Sequence, residues 1–221
     1  MWHPQYNCPR IERDVVLSGK VDDPLWQLAE VAVLTDPING AEKSYLTTVR
    51  LLYNTRYLYI AFNCEDEYVW GEYTERDSQI FTEECVEAFI CPSGQFRQYY
   101  EINVSPRNTV FDAFILNGRE PGGERHMLSF VDYTCEGLQT VVHIDGQLGV
   151  PGAKGWSVEY ALPFRSLIGN DHLIPEAGDC WRLNLYRIDS RVRNELEFSA
   201  WATVGINDFH LPQYFGTLCF K

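Results

Sequence analysis

The feature that most constrains the fold of this chain is a succession of short runs of branched and aromatic residues, separated by turn-forming residues. Runs of this length and spacing are typical of strands in β-sandwiches and β-barrels. Pro92-Ser93-Gly94-Gln95, between two such runs, is a turn-forming set that favours a hairpin. The predicted strands are residues 31–34, 47–53, 57–64, 85–91, 97–105, 110–116, 138–144, 156–162, 180–188, 196–201 and 214–220.

Helical signal is weak by comparison. Residues 24–30 and 163–168 each have Pro at the start of a short apolar stretch, which predicts one helical turn. The chain has 221 residues, and no linker or repeat divides it. We therefore expect one all-β domain over residues 1–221. Its predicted fold is an antiparallel β-sandwich, jelly-roll or immunoglobulin-like, with about ten strands and one or two short helices.

Charge and aromatic content narrow the classes of ligand. The formal net charge of −13 argues against binding to a nucleic-acid backbone or an anionic membrane surface, because both need clustered Lys and Arg. The chain has 6 Trp, 13 Tyr and 12 Phe, which is more than a core of this size requires. We expect some of these rings to lie on a surface that meets a flat ligand.

Cysteine usage favours a reducing compartment. The chain has seven Cys, an odd number, without the Cys-x-x-Cys spacing of a zinc site. Most of them lie in apolar runs, where a free thiol behaves as a small hydrophobic side chain. Residues 1–10 lack the basic-then-apolar pattern of a signal peptide. We expect mostly or wholly reduced cysteines and a cytoplasmic protein, with secretion after signal removal as the alternative.

Polar residues at alternate strand positions suggest a functional sheet face. Side chains alternate across a strand, so Glu101 and Asn103 share one face of their strand. Glu87 likewise faces away from its apolar neighbours, and Asn184 and Tyr186 alternate with Leu residues. If these strands are neighbours, all five residues share one face. Such a face is either simply solvated or suited to sugar hydroxyls, which need both donors and acceptors.

The order and spacing of several motifs resemble carbohydrate-binding module family 9 and its single-domain relatives. The opening LSGKVDDPLW at residues 17–26 is similar to the start of that family, with Ser18 in place of its Asp. The resemblance continues through VRLLY (49–53), YLYIA (57–61), TERDS (74–78), ECVEAFI (84–90), YYEIN (99–103), GWSVE (155–159) and PQYFG (212–216).

The resemblance implies a jelly-roll-like sandwich that clamps a sugar between two aromatic rings. Those rings correspond to Phe81 and Phe209 here, where the family has Trp. Its hydrogen-bonding acid corresponds to Glu87, and its basic partner to Glu101, where this chain has an acid instead. Further candidate ligand contacts are Asn103, Asn184, Tyr186, Asn207 and His210. Structural calcium is an option that the resemblance allows, although no ligand set matches in the sequence.

Two functions remain open at this point. The first is non-catalytic binding of an oligo- or polysaccharide, with a chain end as one option, in support of glycan breakdown by glycoside hydrolases. The second is a glycoside hydrolase that uses Glu87 and Glu101 as its carboxylate pair. Two acids side by side on one sheet face disfavour the second function, because hydrolysis needs carboxyls that flank the scissile bond.

Overall fold

The computed structural model describes residues 3–119, 125–169, 172–192 and 195–221, and it forms two β-sheets. The large sheet has the order β1-β13-β11-β5-β6-β7-β8, with β12 also paired to β11, and the small sheet has the order β2-β3-β4-β10-β9. The strands are β1 (Gln5–Cys8), β2 (Ala32–Val33), β3 (Thr47–Tyr53), β4 (Tyr57–Glu65), β5 (Cys85–Cys91), β6 (Gln98–Val104), β7 (Val110–Arg119), β8 (Arg125–Phe130), β9 (Gln139–Asp145), β10 (Gly155–Pro163), β11 (Cys180–Val192), β12 (Glu195–Ala200) and β13 (Gly216–Phe220).

The main hydrophobic core lies between the two sheets. Val86, Ala88 and Ile90, at alternate positions of β5, belong to the same buried cluster as Ile60 and Phe62 of β4. Because side chains alternate along a strand, the intervening residues of β5 must lie on the opposite, outer face of the large sheet. The two sheets therefore form a sandwich, and the outer face of the large sheet is available for other contacts.

That outer face carries a second apolar cluster. Phe89 and Tyr186 from the sheet are buried there together with Ile80 and Phe215 from loop segments. The long strand β11 makes this possible, because its first part pairs with β13 and its second part pairs with β12. The loop between β12 and β13 is thereby folded back over the sheet.

The N-terminal segment covers part of the outer face of the small sheet. The buried carboxylate of Glu159 accepts hydrogen bonds from the Ser18 and Gly19 amides and from the Trp26 indole, at 2.5–2.8 Å. Gly19 has φ of +79°, and a Cβ there would lie 2.7 Å from the backbone carbon of Val142. The opening motif therefore anchors the chain to the small sheet.

The predicted all-β fold is confirmed, with thirteen strands among the described residues. The sequence analysis missed β1 and β8, and β1 pairs in parallel with β13 rather than antiparallel. The helical turns predicted at residues 24–30 and 163–168 are 3₁₀ turns, Pro24–Leu28 and Phe164–Ser166. Among the described residues no helix is long and apolar enough to span a membrane.

The cysteines are mostly rather than wholly reduced, because two of the seven form a disulfide. Cys180 and Cys219 are paired residues of the adjacent strands β11 and β13, and they form a disulfide. The other five cysteines are free and buried: Cys8, Cys64, Cys85, Cys91 and Cys135. Cys64, Cys85 and Cys91 lie in the apolar runs from which burial was predicted. The sequence pattern could not reveal the pair, because the two residues are 39 positions apart and meet only through strand pairing.

Candidate functional site

Strand register brings the predicted polar residues to one face of the large sheet. Glu87 of β5 lies between Asn103 of β6 and Tyr186 of β11. The next row on the same face contains Phe89, Glu101 and Asn184. The shared face proposed from alternation therefore exists, because β6, β5 and β11 are consecutive in the sheet.

A cavity of about 450 Å³ opens on this face. Its floor is the large sheet, and its walls come from β8, β12, the turn after Gln79 and the loop before β13. Volumes of this order are typical of small-molecule sites. The cavity is lined by Phe81, Glu87, Phe89, Glu101, Phe111, Met127, Ser129, Ile188, Phe198, Asn207, Asp208, Phe209 and His210.

Phe81 and Phe209, the two predicted clamp rings, both line this cavity and are half-buried. Phe81 lies in the 3₁₀ turn Ile80–Thr82, and its ring packs edge-on against Phe111 with centroids 5.2 Å apart. Phe209 stacks on Tyr186 at 4.0 Å and meets Phe198 edge-on at 5.5 Å. Sheet-anchored rings therefore support both phenyl groups.

Asn184 and Tyr186 hold the loop that carries Phe209. Asn184 exchanges hydrogen bonds with the backbone of Ala202, at 2.8 and 3.0 Å. The Tyr186 hydroxyl donates to the carbonyl of Phe209 at 3.0 Å. Both side chains are fully buried and lie outside the cavity lining. Their contacts in the structure position the loop, and the ligand contact assigned to them from the sequence stays a prediction.

Asn103 is also buried beneath the site. Its side-chain amide donates to Glu101 at 2.9 Å, and its Oδ1 lacks a partner. Asn103 does not line the cavity, and the ligand contact assigned to it from the sequence stays a prediction. Asn207 is exposed at the rim, and the His210 ring lies 2.8 Å from the Tyr99 hydroxyl.

The two floor carboxyls are buried and carry raised pKa values. Glu87 is 2% exposed, and its burial, reinforced by the charge of Glu101, raises the pKa of Glu87 well above its ordinary value. Burial raises the pKa of Glu101 to about 7, opposed by the hydrogen bond from Asn103. Like charges and desolvation disfavour ionisation of both groups at once. The floor therefore presents carboxyl groups that can both donate and accept.

The cavity contains aromatic and acidic residues that the sequence analysis did not select. Phe89 follows Glu87 by two positions, so the same alternation that placed Glu87 on this face also places Phe89 there. Met127 belongs to β8, a strand absent from the sequence prediction. Phe111 and Phe198 reach the site only through the sheet order, and Asp208 lies beside the predicted Phe209.

A second groove, of about 420 Å³, lies on the outer face of the small sheet. Its lining is mostly polar and charged, with Asn63, His143 and Ser157 aligned across neighbouring strands. Its aromatic residue, Trp156, is buried and donates its indole N–H to Glu84. This groove thus lacks the exposed rings that suit the apolar face of a sugar.

One buried cluster of acidic side chains could be considered as a site for structural calcium. Asp66, Glu84 and Asp189 have carboxylate oxygens within 4.8 Å of one another. The Nη2 atom of Arg187 lies 2.8 Å from Asp66, 3.2 Å from Glu84 and 3.6 Å from Asp189. The guanidinium already supplies the positive charge that these acids need. The cluster as arranged does not fit a calcium ion, which requires six or more oxygen ligands.

Solved structures share this architecture. A Bacteroides uniformis protein assigned to carbohydrate binding superposes with a TM-score of 0.77 at 15% identity, covering 100% of both chains. A family 9 carbohydrate-binding module from Caldicellulosiruptor kristjanssonii, in complex with cellotriose, gives a TM-score of 0.66 at 13% identity, covering 99% of this chain and 94% of the module. These likenesses confirm the sandwich fold.

Sequence comparison identifies the family. An Arthroderma benhamiae relative, described as an extracellular protein, is 26% identical over 180 residues, covering 79% of this chain and 78% of the relative. The sequence model of carbohydrate-binding family 9 matches residues 23–220. That family consists of binding modules, so the glycoside hydrolase alternative loses its support. The chain belongs to carbohydrate-binding family 9, and it is a non-catalytic carbohydrate-binding module.

Proposed function

We propose that the module binds one sugar residue of an oligo- or polysaccharide in the cavity on the outer face of the large sheet. One observation carries this proposal: the cavity gathers Phe81 and Phe209, the two clamp candidates, around Glu87 and Glu101. A pyranose has apolar C–H faces and a belt of hydroxyl groups around its edge. Aromatic walls over a carboxyl floor match that distribution of groups.

The phenyl rings and the carboxyl groups of the cavity have different roles in the proposed binding of the sugar. The phenyl rings of Phe81 and Phe209 cover apolar sugar surface and exclude water from it. The carboxyls of Glu87 and Glu101, buried on the floor, exchange hydrogen bonds with sugar hydroxyls. Because their raised pKa values favour a protonated carboxyl, such a group acts as both donor and acceptor.

The ligands of structural neighbours support a glucose-type ring as the starting point for tests. Caldicellulosiruptor kristjanssonii modules were solved with cellotriose and with glucose, the latter at a TM-score of 0.63 and 14% identity. A binding module without catalysis contributes by holding a glycan for other proteins. We therefore propose that this protein acts beside glycoside hydrolases that cleave the same glycan.

The test is calorimetric titration of the parent and two variants, Phe81→Ala and Phe209→Ala, with cellotriose and with a panel of glycans. Each substitution should weaken binding by about 1–3 kcal/mol, because each removes one aromatic contact with the sugar. Phe130→Ala is the matched control. Phe130 is exposed on β8 next to the cavity residue Ser129, but it lies outside the cavity lining.

Each outcome has a distinct meaning. Weaker binding in both cavity variants, with the control at parental affinity and all proteins folded by circular dichroism, supports the proposal. Unchanged affinity in both folded cavity variants would place the sugar site elsewhere and refute it. No binding of any saccharide by the parent would refute the proposed function as a whole.

We also propose an extracellular location and a single folding unit. The Cys180–Cys219 disulfide favours an oxidising compartment over the cytoplasm, and the fungal relative is described as extracellular. The sheets share one core, which supports a single domain. Secretion of the full-length protein into culture medium would support the extracellular location, and intracellular retention would contradict it. Limited proteolysis that releases two stable halves would contradict the single domain, and the absence of such halves would support it.

A further inference from the structure

Within the described residues, the two carboxyl groups on the floor of the cavity form no ion pair with Lys or Arg. Glu87 and Glu101 are 2% and 6% exposed. Among the described residues, no Lys or Arg lines the cavity, and its basic side chain, His210, lies against the Tyr99 hydroxyl. Buried carboxylates are ordinarily paired with a cation or hydrogen-bonded on several sides, because desolvation of an unpaired charge is costly.

Hydrogen-bond donors are also scarce at these two groups. Within the described part of the chain, Glu87 accepts from the Cys85 thiol at 3.6 Å, and Glu101 accepts from the Asn103 amide at 2.9 Å. An ionised carboxylate has about four acceptor positions. The remaining oxygens are not among the fully enclosed atoms that lack a partner, and both residues line the cavity. The unfilled acceptor positions are therefore accessible from the cavity.

The residues around the cavity restrict the kind of cation that could bind to the two floor carboxyls. Phe81, Phe89, Phe111 and Phe209 provide ring surfaces around the two carboxyls. Among the described residues, Glu87 and Glu101 do not belong to a group of three acidic, His or Cys side chains whose ligand atoms are close enough to share a metal ion. A calcium ion, which takes six or more oxygen ligands, is therefore a poor match for this floor. An organic ammonium group fits better, because it brings three N–H donors and is attracted to aromatic faces.

Resting on the proposed function, we infer that the preferred ligand is an amino sugar with a protonated primary amine, as in a glucosamine residue of a deacetylated glycan. The pyranose ring lies against the phenyl groups, as for a neutral sugar. Its ammonium group donates to the cavity-facing oxygens of Glu87 and Glu101. Because a nearby positive charge favours the ionised form of a carboxyl group, binding of the amine is coupled to release of a proton from the floor. Charge-assisted hydrogen bonds of this type are stronger than those from a neutral hydroxyl.

Three trisaccharides with the same ring and β-1,4 linkage test this inference, because they differ only in the group at the second ring carbon. They are the trimers of glucosamine, N-acetylglucosamine and glucose, titrated calorimetrically at about pH 6 and about 0.15 M salt, where the Debye length is only about 8 Å. The glucosamine trimer should bind at least roughly tenfold more tightly than the other two. Trilysine, a cation without a sugar ring, is the control for attraction to the net charge of −13 and should not compete.

Substitutions test whether the two floor carboxyls cause the preference for the glucosamine trimer. In Glu87→Gln/Glu101→Gln, the preference for the glucosamine trimer should fall to about twofold or less, since both acidic groups become neutral amides. Glu136→Gln, an exposed acid outside the cavity, is the matched control and should retain it. Phe209→Ala should weaken all three ligands by a similar factor, because it removes ring contact rather than charge.

Failure of this inference is distinguishable from failure of the proposed function. If neutral trimers bind and the Phe variants weaken them, but the amine gives no advantage, the amino-sugar inference is wrong and the sugar site stands. A preference that persists in the double Gln variant, or competition by trilysine, would also overturn it. If no saccharide binds at all, both proposals fail.

Discussion

The ring of Phe209 lies flat on the ring of Tyr186, with centroids 4.0 Å apart and planes 11° apart. The Tyr186 hydroxyl also donates a hydrogen bond to the Phe209 carbonyl at 3.0 Å. A strand residue thereby fixes both the ring and the backbone of a loop residue. One face of Phe209 is occupied by this stack, so a ligand is expected to meet the other face.

Removing the support under Phe209 should weaken sugar binding, because the position of the Phe209 ring depends on Tyr186. Tyr186→Phe keeps the stack but loses the hydroxyl bond, and it should cost about 0.5–1.5 kcal/mol of binding free energy. Tyr186→Leu removes the stack as well and should approach the loss seen for Phe209→Ala. Calorimetry measures the affinities, and near-ultraviolet circular dichroism verifies folding. Parental affinity in a folded Tyr186→Leu protein would contradict this account.

The buried cluster around Arg187 should be important for stability. Replacing Arg187 with Met removes the cation that pairs with the buried carboxyls of Asp66 and Glu84, and we expect a loss of about 3–5 kcal/mol in the free energy of unfolding. Urea titration followed by Trp fluorescence gives this value. Arg56→Met is the control: Arg56 forms an exposed ion pair with Asp14, and its loss should cost about 1 kcal/mol or less. Equal effects of the two substitutions would contradict the prediction.

The pH dependence of stability should report the raised pKa of Glu101. Its pKa is about 7 in the folded protein, against 4.5 for an ordinary Glu, so the folded state holds an extra proton between these values. Stability from this group is present below about pH 4.5 and is lost as the pH rises toward 7, by up to about 1.4 kcal/mol per pH unit.

Glu101→Gln removes this proton uptake. Its stability relative to the parent should therefore improve from about pH 5 to pH 8, as measured by urea unfolding at each pH. Glu136→Gln, which changes an exposed acid outside the cavity, is the control substitution. A constant difference between Glu101→Gln and the parent over this range would mean that Glu101 ionises normally in the fold.

The cysteine states give a direct chemical test of the disulfide. Thiol titration in denaturant without reductant should find five thiols, and reduction should raise the number to seven. Peptide mapping by mass spectrometry should recover Cys180 linked to Cys219. Seven thiols before reduction would show that the pair is reduced and would favour the cytoplasmic location expected from the sequence.

The sequence by itself determined the strands and the side of each strand on which its residues lie. Alternation along β5 and β6 placed Glu87, Glu101 and Asn103 on a common face once the strands were taken as neighbours, because successive side chains point to opposite sides of a sheet. Residues 125–130 escaped prediction because Arg, His and Ser interrupt the apolar pattern of β8.

Only the tertiary structure decided which of those residues reach the cavity. Asn184 and Asn103 share the face with Glu87, yet both are buried beneath the loop or the floor, since burial depends on what folds over the sheet rather than on strand periodicity. Phe111 and Phe198 joined the site through sheet order, and Cys180 met Cys219 through strand pairing. Such contacts join residues far apart in the chain, and local sequence pattern carries no information about them.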